Sequence, residues 1–131
     1  MENKVVVHLK NGKIHKGVTQ DFDPSREEFY LLPAEGGGIP MKIVLEGMKA
    51  MFYVRDYIGN RHFNASRGHA GALENARKVI LRFNDGEELW GTKEDISDEG
   101  PGFFFYPTDR EDNNIRIFVI RSSLSGMEIV D

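Results

Sequence analysis

The stretch KVVVHLKNGKIHKGVTQDFDPSREEFYLLPA, residues 4 to 34, is written again as KVILRFNDGEELWGTKEDISDEGPGFFFYPT, residues 78 to 108, at a constant offset of 74 with no gap. Seven positions are identical: Lys4/Lys78, Val5/Val79, Gly12/Gly86, Gly17/Gly91, Asp21/Asp95, Phe29/Phe103 and Pro33/Pro107. Other pairs keep their character, among them Val7/Leu81, Leu9/Phe83, Asn11/Asp85 and Phe22/Ile96. After a shift of two residues the match resumes, with Ala50-Met51 against Gly126-Met127 and Val54 against Val130. A repeat of this length means that one small structural unit has to be explained, twice.

Within each copy the residues read as short strands. Val5, Val7 and Leu9 alternate with Val6, His8 and Lys10, the period of two that a half-buried strand requires, with His8 on the solvent side. Asn11-Gly12 and Asp85-Gly86 supply the positive-φ residues of a tight hairpin. Gly17 and Gly91 lie in mid-strand, where an isolated glycine marks a bulge or sharp bend that folds a small sheet over into a barrel. Asp23-Pro24-Ser25-Arg26 reads as a turn with proline preset at its second position. Phe29-Tyr30-Leu31-Leu32 and Phe103-Phe104-Phe105-Tyr106 form the third strand, stopped by Pro33 and Pro107. Met41 to Leu45 and Lys49 to Val54 complete five strands in the first copy; Ile115 to Ile120 and Met127 to Val130 do so in the second.

The expected fold class is therefore all-β: two tandem five-stranded barrels related by internal duplication. The first spans residues 1–56 and the second 78–131, joined by a polar linker over 57–77. There is no cysteine, which excludes disulfides and thiolate metal sites. No apolar stretch is long enough for a signal peptide or a membrane span, so a cytoplasmic location without membrane association is expected. Charge is uneven. Residues 1–56 carry eight basic and eight acidic side chains, the linker sets three arginines against one glutamate, and residues 78–131 carry six basic and twelve acidic. The second copy would repel a polyanion, which disfavours nucleic acid there and leaves the first copy or the linker as the place where it would bind.

Five strands with a glycine in the second resemble the SH3-like small barrels, and the Sm-like fold in particular. The first half of each copy is similar to the first Sm motif: Val5 to Leu9, Gly12, Gly17 and Asp23 stand at its characteristic places. The run Phe118-Val119-Ile120-Arg121-Ser122-Ser123 resembles the start of the second Sm motif. The base pocket that the resemblance implies is not carried over, because Glu28 or Phe29 falls where an asparagine belongs and Glu46-Gly47 replaces the arginine in the first copy. The tandem layout also resembles an uncharacterised bacterial family of paired domains. Asp95-Ile96-Ser97-Asp98-Glu99-Gly100 is similar to one element of PilZ domains, β-barrels that bind cyclic di-GMP. The phosphate-clamping arginine pair of that family has no counterpart, since Arg61, Arg67, Arg77 and Arg82 lack its spacing.

No group of residues points to catalysis, a metal or a cofactor. His62 and His69 have no clustered acidic or histidine neighbours in sequence, and Ser122, Ser123 and Ser125 lack a nucleophile-elbow pattern. The third strand is apolar on both faces in both copies, so its outer face needs a cover: the other copy, a protein partner, a second molecule or a base. A non-enzymatic binding or assembly module follows as the expectation, acting by protein–protein contact or self-association. Single-stranded RNA or nucleotide binding is the alternative. Candidate contact residues are Tyr30, Tyr53, Phe104 and Tyr106, with Arg61 and Arg67 as phosphate contacts from the linker.

Overall fold

The structure, a computed structural model, describes residues 3–34, 38–55, 77–93, 100–108 and 114–130. Arg61, Arg67, most of the linker and the PilZ-like element lie outside them. The first half contributes β1 (Asn3–Leu9), β2 (Ile14–Thr19), β3 (Glu28–Pro33), β4 (Met41–Val44) and β5 (Met48–Val54). The second contributes β6 (Arg77–Phe83), β7 (Glu88–Lys93), β8 (Gly102–Pro107), β9 (Asn114–Ile120) and β10 (Leu124–Val130).

The duplication holds at atomic detail. Gly12 and Gly86 have φ of 91° and 94°, but Asn11 and Asp85 do not take positive φ. Each loop is instead a turn closed by Gly12 N donating to Leu9 O, or Gly86 N to Phe83 O, at 3.0 Å, with the glycine alone in the left-handed region. Leu9 N donates to Lys13 O at 2.9 Å, and Phe83 N donates to Glu87 O at 2.8 Å. A single 3-10 turn, Leu45–Gly47 or Arg121–Ser123, links the fourth and fifth strands of each half. It is tied back by Lys10 N donating to Gly47 O and Asn84 N to Ser123 O, both at 2.9 Å. Asp23 closes its turn by accepting from Ser25 N at 2.9 Å through Oδ1 and from Arg26 N at 3.0 Å through its carbonyl.

The all-β class holds, but among the described residues the strands do not close into two barrels. The strands make one open, antiparallel ten-stranded sheet in the order β10-β6-β7-β8-β9-β5-β1-β2-β3-β4. Among the described residues β5 does not return to β4; its second edge is taken by β9 of the other half, which leaves β4 and β10 as the outer edges. The physical reason lies in β5 and β9 themselves. Both are apolar on both faces, and an element of that kind needs cover on each side. Met51 and Tyr53 join Phe118 and Ile120 in a core with Val5, Val7, Phe29 and Leu31. The alternate residues, Ala50, Phe52, Val54, Ile117 and Val119, enter a second core with Val79, Leu81, Phe103 and Phe105. Each core is thus completed by a strand of the opposite half.

This arrangement also changes the setting of His8. Its ring lies 4.5 Å from that of Phe52, so the outer face of β1 is half-covered rather than open. Burial first, and the nearby Lys49 charge second, hold its pKa below the usual histidine value, against the opposing Glu87 and Asp85. A folded state that takes up a proton less readily than the unfolded chain loses stability as pH falls through the unfolded value, about 6.5. Urea midpoints are therefore expected to fall between pH 7 and pH 5, and His8→Gln is expected to flatten that slope.

Candidate functional site

Three neighbouring strands bring Tyr53, Arg116 and Phe104 together on one face of the sheet. Tyr53 of β5 stands opposite Arg116 of β9, and Phe104 of β8 stands opposite Phe118, two residues further along β9. The Arg116 guanidinium lies 4.3 Å from the Tyr53 ring centroid and 4.5 Å from that of Phe104. Both rings are inside the range for a cation–π contact. Burial raises the Tyr53 hydroxyl above the usual tyrosine pKa, opposed by the charge and hydrogen bond of Arg116. The tip of the β2–β3 connection forms the facing wall, where the Phe22 ring packs edge-on against Phe29 at 5.2 Å and Phe118 at 5.0 Å. Between these walls lies a cleft of about 420 Å³ lined by Thr19, Gln20, Phe22, Pro24, Tyr53, Phe104 and Arg116. Its size is within the range of small-molecule sites.

Of the expected contact residues, Tyr53 and Phe104 meet here. Tyr30 and Tyr106 do not. Tyr30 is 49% exposed on the outer face of β3, opposite Lys42, and Tyr106 is half-buried on β8 opposite Thr92. Arg116 was not among the expected residues. Its one sequence signal is a cation standing beside the apolar run Ile117 to Ile120.

A second surface gathers at the outer edges. Among the described residues the exposed large hydrophobics are Ile14, Tyr30, Leu32, Ile39, Val44 and Ile129. Tyr30, Leu32 and Val44 are on β3 and β4, Ile39 immediately precedes β4, and Ile129 is on β10. Val18, Gln20, Asp21, Tyr30, Leu32 and Pro40 line a shallow groove of about 260 Å³ beside β4.

Between the halves, polar contacts reinforce the sheet. The Lys49 amine reaches Asp85 at 2.6 Å and Glu87 at 2.5 Å, and lies 4.5 Å above the Phe83 ring. Burial lowers its pKa, but the two carboxylates outweigh that and hold it above the usual lysine value. Ser123 Oγ donates to Lys49 O at 2.9 Å. Among the described residues no cluster of three or more His, Cys, Asp or Glu side chains could hold a metal, and no helix is long and apolar enough to cross a membrane.

The model of a family of unknown function, DUF6982, matches residues 1–131. The chain belongs to this family. No curated protein and no solved structure matches it.

Proposed function

We propose that this chain is a non-enzymatic, cytoplasmic assembly module whose copies associate head to tail through their outer sheet edges. The observation that carries this is the internal seam. By the repeat, β4 corresponds to β9 and β10 to β5, both at an offset of 76. The seam β5–β9 is therefore a heterologous contact whose two surfaces recur at the ends of the sheet, unpaired among the described residues. Tyr30 takes the place of Phe104, Val44 that of Ile120, Met127 that of Met51 and Ile129 that of Tyr53. The likeness of each half to SH3-like and Sm-like barrels belongs to the same reading and rests on the repeated glycines and strand order.

The outer contact is weaker than the seam. Pro40 removes an N–H beside β4, and Lys42 and Glu128 stand where the seam has Phe118 and Phe52. A reversible association follows. In sedimentation velocity the mass is expected to rise above the 14.9 kDa monomer with concentration. Val44→Lys combined with Ile129→Lys is expected to return it to the monomer. A mass that stays monomeric at all concentrations would rule the reading out.

Nucleotide or single-stranded RNA binding is the second reading, favoured by the cation and aromatic rings of the seam cleft. Counterion release would make polyanion binding fall steeply with salt, whereas apolar edge association would respond little.

A further inference from the structure

We infer that the seam cleft is a binding site for a small organic oxyanion, a carboxylate or phosphate attached to a flat conjugated ring. This goes beyond self-association, because the cleft lies on the inner seam and not at the outer edges. Arg116 is the one cation lining the cleft among the described residues. Its guanidinium carbon lies 4.3 Å from the Tyr53 ring centroid and 4.5 Å from that of Phe104, and a guanidinium carries five N–H donors, more than the Tyr53 hydroxyl can accept. One contact goes to the Tyr53 hydroxyl. Among the described residues no carboxylate pairs with Arg116, although other cations of the chain, Lys10, Lys42, Lys49 and Arg82, all have one.

A half-buried guanidinium set beside two rings offers a planar fork of donors for two-point recognition of an oxyanion, which a lysine would not reproduce. The remaining walls match the rest of such a ligand. Phe22, Pro24 and Phe104 supply apolar and aromatic surface, Thr19 and Gln20 neutral polar groups, and among the described residues no acidic side chain lines the cleft to repel an anion.

The repeat shows that the cation is not part of the structural unit. Pro40 stands at the corresponding position of the first half, and that half folds in the same pattern without a cation there. Tyr53 comes from the first half, Phe104 and Arg116 from the second, and Thr19 to Pro24 from the first again. The site exists because the halves join, and neither half contains it alone.

The test uses the full-length Val44→Lys, Ile129→Lys chain, so that self-association, present or absent in the parent, does not enter the readout. Adenosine monophosphate, benzoate and inorganic phosphate are each titrated to millimolar concentration and followed by NMR. Adenosine monophosphate or benzoate is expected to give saturable shifts at the Arg116 Nε–H and the Tyr53 and Phe104 rings. Which of them does so identifies the oxyanion, and inorganic phosphate should bind more weakly than either responder. Arg116→Gln and Arg116→Lys should each weaken binding by about tenfold or more, the loss expected when a charge-assisted, two-point contact is removed. Folding of both variants is checked by their unfolding midpoints. The inference is overturned if no probe shifts those resonances in the parent, or if the shifts fall elsewhere. Undiminished binding by a folded Arg116→Gln chain, or phosphate binding as tightly as the ring-bearing probes, would overturn it equally.

Discussion

Phe118→Ala is expected to destabilise the chain by about 3–5 kcal/mol, the range for truncating a fully buried phenylalanine. Phe118 is 1% exposed and belongs by sequence to the second half, yet its ring fills the core of the first. There it meets Phe22 at 5.0 Å and Phe104 at 5.1 Å in edge-on contacts, each of which adds to the loss. The lining cannot collapse easily into the void, because β5 and β9 are fixed on both sides by paired strands. Tyr30→Ala, an aromatic truncation of similar size on the exposed outer face of β3, should change the unfolding free energy from urea titration by no more than about 0.5 kcal/mol. Equal losses at the two positions would mean that Phe118 does not complete the first core.

Gly91→Ala should be comparably severe, at about 3 kcal/mol or more, for a steric reason. A Cβ at Gly91 would lie 2.1 Å from the Tyr106 carbonyl oxygen and 2.6 Å from Cζ of Phe105. The first of these is backbone, so relief requires β7 and β8 to separate where Gly91 pairs with Pro107. A Cβ at Gly17 would likewise lie 2.3 Å from Leu32 O, which is why glycine stands at this place in both copies. The strand glycine is thus a close-approach residue. Gly126→Ala has open space around its Cβ and should be tolerated, so thermal unfolding of the two variants side by side separates sterics from general strand propensity.

Much of the fold is legible before any coordinates. The duplication, ten strands, both hairpin glycines and the aspartate turn all follow from local pattern, because each depends on residues adjacent in the chain. Strand pairing across the halves does not, since alternation tells which way a side chain points but not which strand lies beside it. The signal for the seam was nevertheless present in Ala50-Met51-Phe52-Tyr53-Val54 and Ile117-Phe118-Val119-Ile120, uninterrupted apolar runs of the kind that mark burial on both faces. The third strand, apolar in the same sense, divides differently. Phe104 enters the seam, whereas Tyr30 and Leu32 stay exposed, because β8 lies beside the joined strands and β3 next to the free edge. For the site, tyrosine and phenylalanine stood out as aromatic candidates. Arg116 could not be chosen among the arginines until the register set it opposite Tyr53.

The central claim is that the two halves are one cooperative unit with interlocked cores, and Trp90 offers a direct reading of it. Trp90 is the sole tryptophan and lies on β7, in the second half, while Phe29 is buried in the core of the first. Urea unfolding of Phe29→Ala, followed by Trp90 fluorescence, is the decisive measurement. Shared cores predict that the tryptophan transition shifts by the full cost of the truncation, about 3–5 kcal/mol, and coincides with the loss of far-ultraviolet β signal. A Trp90 transition left at its parent midpoint while part of the β signal is lost earlier would show two halves that fold independently, and would contradict the account.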